Sequence, residues 1–231
     1  MPEVAKNQAA DTDFWERKRH NSANRTAYRR RVDIGKARSM IVDRVQPSSR
    51  VLDIGCGDGS LLEALRDQKG CAVFGIDIAP GAIDICRTRN VNAILGDVDA
   101  YDQNREIGDL VFSDYDVVIF SKSLQYVQRR DEILARLETS RIYIYHGNRD
   151  RFVMPWAASP PYRSPLPTSN KDRIRWLESF GFHGSVLYYD RRLLKGLNLG
   201  SLPLPSYLLN RLAANVVLEF LKGDVVTNAT A

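Results

Sequence analysis

Cysteine is scarce in this chain of 231 residues, long apolar runs are missing, and so is any metal-ligand spacing. Each scarcity removes a class of protein. The three cysteines, Cys56, Cys71 and Cys86, fall fifteen residues apart with no C-x-x-C pair. Such a set builds neither a disulfide framework nor a zinc site, and it predicts reduced thiols. No run approaches the roughly 20 apolar residues of a membrane-spanning helix, so no membrane association is expected. The opening MPEVAKNQAADTDFW lacks the basic-then-apolar layout of a secretory signal, and a cytoplasmic location is the expectation that follows. No metal-ligand cluster is predicted. His20 and His183 stand with no constellation around them, which leaves His146 as the third histidine to consider.

What is present is ordinary globular material, 44% hydrophobic and 26% charged, which argues against disorder. The length suits one well-buried α/β domain and is short for two. The net charge of +5 is unevenly spread. Ten basic residues between Phe14 and Arg44 are opposed only by Glu16, Asp33 and Asp43. That basic lead-in reads as a solvated helix face, with a nucleic-acid backbone or an anionic small molecule as the other uses open to it. It lacks the aromatic interleaving of a stacking surface, so nucleic acid is not favoured.

Residues 1–45 are expected to form an N-terminal basic helical extension, Ile34, Ala37, Ile41 and Val45 following helical spacing and Asp33 offering a cap. Residues 46–231 then alternate strands and helices. Strands are expected at 51–55, 72–78, 92–98, 115–121 and 141–147, and helices at 61–68, 80–89 and 131–138. That alternation implies right-handed βαβ crossovers and a parallel sheet with helices on both faces. Residues 149–170 carry five of the ten prolines and read as a long loop on the acceptor side. A helix at 171–179 ends before Gly181, and strands at 185–191 and 214–222 close the chain.

The informative segment is VLDIGCGDG, residues 51–59, a buried strand running into a glycine-rich turn and then a helix. Gly55, Gly57 and Gly59 let the backbone approach a ligand without Cβ interference, and the helix start favours an anionic group. Asp53 lies within the strand, where a buried acid is costly without a cation, and a ligand ammonium would supply one. Asp77 ends the second strand, eighteen residues beyond Gly59, placed to accept ribose hydroxyls. Asp97 follows Gly96 at the end of the third strand, where it can accept from an exocyclic amine. A dinucleotide fingerprint would read G-x-G-x-x-G, whereas this turn reads G-x-G-x-G with an acid two residues before it.

With these residues the chain resembles the class I S-adenosylmethionine (SAM)-dependent methyltransferases. The resemblance covers about Arg50 to Gly147. It implies a Rossmann-like, mostly parallel seven-stranded sheet with an antiparallel last strand, SAM as cofactor and S-adenosylhomocysteine (SAH) as product. It further implies that Cys56 shares the glycine-rich turn, that Ile78 contacts the adenine face and that Val98 stands beside Asp97. The backbone near Ser121 would lie beside the methionine part. DIGCGDGSLLEAL, SKSLQYVQRRDEIL and NRLAANVVLEFLK resemble the methionine-biosynthesis protein W (MetW) family more narrowly. Proteins of that type are associated with homoserine acylation, alongside an acyltransferase partner.

On the acceptor side, His146 is the best general base on offer, although a structural role in holding the loop competes with that reading. Lys122 and Tyr126 could bind an anionic acceptor, and Trp156, Tyr162 and Arg163 could form an aromatic lid. No Asn-Pro-Pro-Tyr run follows the fourth strand, which argues against enzymes that methylate DNA adenine or protein glutamine. Methyl transfer to a small molecule leads. A SAM-binding subunit without turnover and an RNA methyltransferase using the basic arm are the alternatives.

Overall fold

The computed structural model describes residues 34–147, 169–189 and 215–223, with short pieces at 192–194 and 197–198 and single positions at 167 and 205. The chain order is α1 (Lys36–Arg44), β1 (Arg50–Ile54), α2 (Ser60–Lys69), β2 (Ala72–Asp77), α3 (Pro80–Thr88), β3 (Asn92–Leu95), α4 (Arg105–Val111), β4 (Tyr115–Ser121), α5 (Arg130–Arg136) and β5 (Thr139–Gly147). It continues with α6 (Asn170–Glu178), β6 (Phe182–Tyr189), β7 (Arg192–Leu194), β8 (Leu197–Asn198) and β9 (Asn215–Lys222). Short 3₁₀ turns cover Val98–Ala100 and Leu124–Tyr126.

Seven strands form one sheet in the order β3-β2-β1-β4-β5-β9-β6. The β1–β2, β1–β4, β2–β3 and β4–β5 pairings are parallel, and β9 runs antiparallel to both β5 and β6. The expected seven-stranded Rossmann-like sheet with an antiparallel last strand is therefore present. The order reverses at β1, whose neighbours are β2 and β4, and such a switch point opens a crevice at the strands' C-terminal ends.

Alternation along the strands divides the core in two. On one face Val51, Val117, Ile119, Tyr143 and Tyr145 pack under α1 and α2. On the other Leu52, Ile54, Val118, Phe120, Ile142 and Ile144 pack under α4, α5 and α6. Tyr143 and Tyr145 are thus core residues, as are Ile142 and Ile144 between them. Tyr143 keeps its hydroxyl satisfied by donating to Glu219 Oε1 at 2.9 Å and accepting from Arg141 Nη1.

Two features depart from expectation. The boundary expected between residues 45 and 46 falls inside a packed unit. Ala37, Ile41 and Val42 of α1, with Val45 after it, are buried against the sheet, so α1 is a layer of the domain. It is entered through Gly35, while Asp33 lies outside the described residues. Helix α4 was also unexpected. Its start is capped by Asn104, whose side chain accepts from the N–H groups of Glu106 and Ile107, and Ile107 and Val111 bury it beneath the sheet. Seven residues carry too little periodicity to stand out from a single sequence.

Candidate functional site

The tips of β1, β2, β3 and β4 converge around the glycine-rich turn. Gly55 and Gly57 have φ of +78° and +60°, in the left-handed region that glycine enters without strain. At Gly55 the requirement is also spatial, since a Cβ there would collide with Cβ of Ser123. At Gly57 the space that a Cβ would occupy is open, so its backbone can meet a ligand directly. The N–H groups of Gly55 and Cys56 donate to Ile76 O at 2.8 and 3.0 Å, which stitches the turn to β2. The side chain of Cys56 turns inward, where burial and a hydrogen bond to Cys86 push its thiol well above the usual range, the bond being the larger cause. Cys56 can therefore offer a ligand its backbone and not its sulfur.

Asp77 closes this cradle. Its Oδ2 accepts the N–H of Gly57 at 2.7 Å and its Oδ1 that of Ala79 at 2.9 Å, so the acid at the end of β2 holds the turn after β1. Ile78 follows it, half-buried. Across the β2–β3 pairing, Asp97 stands just past Leu95, the partner of Asp77. Asp97 Oδ1 caps the 3₁₀ turn by accepting from the N–H of Asp99, and Val98 is buried below it. Asp99, raised by burial, accepts the N–H groups of Gln128 and Arg129. The loop after β3 is tied in this way to the loop after β4, which gives the QRRDEIL segment a structural part.

Asp53 is the electrostatic centre. It is 1% exposed, and its Oδ1 has no hydrogen-bond partner among the described residues. Burial lifts its carboxyl to about 7; the nearby Arg38 guanidinium opposes the rise, Asp77 and Asp58 add to it, and a bond from the Ser121 backbone lowers it. An acid so placed is expensive to keep ionised until a cation comes to it.

Arg38 does not stand out in the sequence. As part of the basic lead-in it was expected on a solvated face. Instead α1 packs against α2 and the sheet, and Arg38 donates from Nε to Ser121 Oγ at 3.2 Å and from Nη1 to Ser60 Oγ at 3.4 Å. Those partners are neutral hydroxyls, and they hold the guanidinium beside the start of α2 and near Asp53. An arginine held by hydroxyls among the described residues at a helix start suits a carboxylate. Nothing local in the sequence marks it, because its role depends on α1 crossing the sheet.

These residues fit SAM. Asp53 needs an ammonium, Arg38 and the start of α2 suit a carboxylate, Asp77 and Asp97 offer acceptors, and the turn leaves room for backbone contact. Ser121, buried, joins the set through Arg38. Lys122 and Tyr126 follow at the tip of β4, exposed and half-buried respectively. His146 is set apart from them. Alternation puts its side chain on the sheet face of Ile142 and Ile144, under α6, where its Nε2 lies 3.4 Å from Arg173 Nη1. Asp53, Ser121 and Tyr145 face the opposite layer. Trp156, Tyr162 and Arg163 lie outside the described residues.

The sheet order, the antiparallel β9 and the cradle at the switch point define a class I methyltransferase fold of the SAM-dependent type. The chain belongs to the methionine biosynthesis protein MetW family, whose model matches residues 36–183. It is 32% identical over 144 residues to the aklanonic acid methyltransferase DauC of Streptomyces sp. (strain C5), covering 54% of this chain and 60% of that one. It is 36% identical over 88 residues to the trans-aconitate 2-methyltransferase of Mycobacterium sp. (strain KMS), covering 38% of this chain and 32% of that one. The chain thus spans less than two thirds of the length of these relatives. In fold it is similar to the magnesium protoporphyrin IX methyltransferase (ChlM) of Synechocystis PCC 6803, solved with bound SAH. That match has a TM-score of 0.59 at 15% identity, over 94% of this chain and 100% of that one.

Proposed function

We propose that the chain binds SAM across the tips of β1, β2, β3 and β4 and methylates a small-molecule acceptor. The observation that carries this reading is Asp53, a buried carboxylate with an oxygen left open beside a glycine cradle. A protein that spends stability on such a group has a use for it when a cation binds. In this reading Asp53 takes the ammonium of the methionine part and Arg38 its carboxylate. Asp77 takes the ribose hydroxyls, and Asp97 with Ile78 and Val98 frames the adenine. The backbone of Gly55, Cys56, Gly57 and Gly59 packs along the cofactor, and Ser121 lies at its methionine end. Bound SAM supplies an activated methyl group on a sulfonium; the protein's part is to position the acceptor and exclude water. The unit that does this includes α1, so residues 34–45 belong with the fold. The relatives described above act by name on aklanonic acid and trans-aconitate, which supports a small organic acceptor.

Isothermal titration with SAM and SAH tests the reading. Single-site binding of both is expected, and absence of binding to either overturns it.

Membership of the MetW family favours a second reading, in which the chain is a SAM-binding partner of a homoserine acyltransferase. Co-purification with that enzyme, with SAM bound and no methyl transfer to any acceptor, would put it first.

A further inference from the structure

Lys122 is the one non-glycine residue at a described strand tip with a left-handed backbone, φ +64°. Lysine enters that region at a cost, so something holds it there. Its N–H donates to Tyr145 O at 2.7 Å, and its carbonyl accepts from Gln125 Nε2 at 2.8 Å. Its ammonium rests 4.8 Å from the centroid of the Tyr145 ring, a cation–π contact. The residues on either side belong to the cofactor cradle. Ser121 accepts from Arg38, and Ser123 donates to Ile54 O while its Cβ fills the space beside Gly55. Lys122 therefore stands, exposed, between two residues of the cradle.

The strand order extends the site in one direction. Asp53 on β1, Ser121 on β4 and Tyr145 on β5 point to the same sheet face on adjacent strands, and Ser121 is the register partner of Tyr145. With the cofactor over β1 and β4, the next position outward is the Tyr145 ring with the Lys122 ammonium above it. An acceptor reaching for the methyl group passes that cation.

The geometry points to Lys122 as the anchor for a carboxylate on the methyl acceptor, which makes the acceptor an organic acid. This rests on the SAM-dependent reading above. A carboxylate is favoured over an amine or a phenol because those must shed a proton, and on this face the described residues at the β4 and β5 tips carry no carboxylate or imidazole to take one. A carboxylate oxygen is already ionised at neutral pH and needs no base. In the transfer, an acceptor oxygen forms the bond to the methyl carbon, the carbon–sulfur bond breaks and its electron pair stays on sulfur. The products are a methyl ester and SAH, and no proton moves. A phosphate would look for several converging donors rather than one ammonium on an aromatic face.

The test titrates SAH-loaded full-length protein with a panel of mono-, di- and tricarboxylic acids and, separately, with phenyl phosphate and an aromatic amine. Binding of at least one acid is expected, weakened tenfold or more in Lys122→Gly and retained in Lys122→Arg. Lys122→Gly should at the same time raise the melting temperature, because glycine relieves the left-handed strain. A merely structural lysine would not join a gain in stability to a loss of acid binding. Preference for phenyl phosphate or the amine overturns the inference, as does equal acid binding by Lys122→Gly, or no acid bound at 10 mM, roughly the weak end of ligand affinity. Failure to bind SAH overturns the underlying reading as well, and is seen before any acid is added.

Discussion

Replacing Asp53 with asparagine should make the free protein more stable at pH 8 while weakening its hold on SAM. In the folded chain the carboxyl stands at about 7 against an ordinary 3.8. At about 1.4 kcal/mol per pH unit, keeping it ionised costs on the order of 4 kcal/mol at pH 8. The sign follows from proton binding. Between about pH 4 and 7 the folded state retains the proton that the unfolded chain has lost, so this group's stability is full below pH 4 and drains away as pH rises through 7. Asparagine keeps the shape and removes the charge, and it offsets part of the gain, roughly 1–3 kcal/mol, if its amide stays unsatisfied. A net gain of roughly 1–3 kcal/mol at pH 8, turning into a loss of roughly 1–3 kcal/mol near pH 4 where only the amide's cost is left, is therefore expected from melting curves or urea titrations. With SAM the order reverses. The lost charge-assisted bond to the ammonium should weaken binding by about 1.5–3 kcal/mol, or roughly ten- to a hundredfold. Wild-type binding near pH 7 should also release a fraction of a proton, read as a dependence of the binding heat on buffer ionisation enthalpy. A stability difference between wild type and Asp53→Asn that stays flat from pH 4 to 8 would refute the reasoning, because the buried charge would then carry no cost.

Three further outcomes are expected. Asp77→Ala should weaken SAM binding by about 1–3 kcal/mol by calorimetry, through lost ribose acceptors and the release of the Gly57 N–H that Asp77 now holds; unchanged affinity would remove Asp77 from the site. Arg38→Met should weaken SAM and SAH roughly tenfold or more while sparing 5′-methylthioadenosine, which lacks the carboxylate; equal losses for all three would show that Arg38 only supports the fold. Gly55→Ala should destabilise the fold by about 1–3 kcal/mol, from its left-handed backbone and the clash with Ser123 Cβ. Adding Ser123→Gly should restore part of that stability in thermal melts, and no recovery would mean that the clash is not the cause.

How much of this could be read in advance depended on how far each feature reaches along the chain. The glycine-rich turn, with Asp53 two residues before it and Asp77 at the end of the next strand, occupies one βαβ unit. Periodicity and turn chemistry expose such a unit directly; the alternation of strands and helices implies a parallel sheet, while the antiparallel last strand came from the family resemblance. Helix α4 escaped because seven residues between two strands carry little pattern. The sheet face of His146 could not be read for a different reason. Position at a strand tip can be read from sequence, but which sheet face a side chain takes depends on counting register from a known inward residue. With Ile142 and Ile144 alternating against Tyr143 and Tyr145, all four apolar enough for either core, the count had no anchor. Once Ile142 and Ile144 are fixed under α6, His146 must follow them, away from Asp53 and Ser121.

The same logic explains why Arg38 stayed hidden. Arg38 was one of ten basic residues in the lead-in, and nothing in its own surroundings separates it from Lys36 or Arg44. What separates them is the crossing of α1 over the sheet, driven by burial of Ala37, Ile41, Val42 and Val45. That burial leaves the face of Arg38 pointed at Ser60 and Ser121, whereas the Lys36 side turns to solvent. A helix that reads as a charged appendage is thus anchored by its apolar stripe and delivers one charge to the site. It follows that α1 and the cofactor cradle should be coupled: trimming the apolar stripe, for example with Ile41→Ala, should loosen Arg38 and weaken SAM binding without touching any residue of the cradle itself.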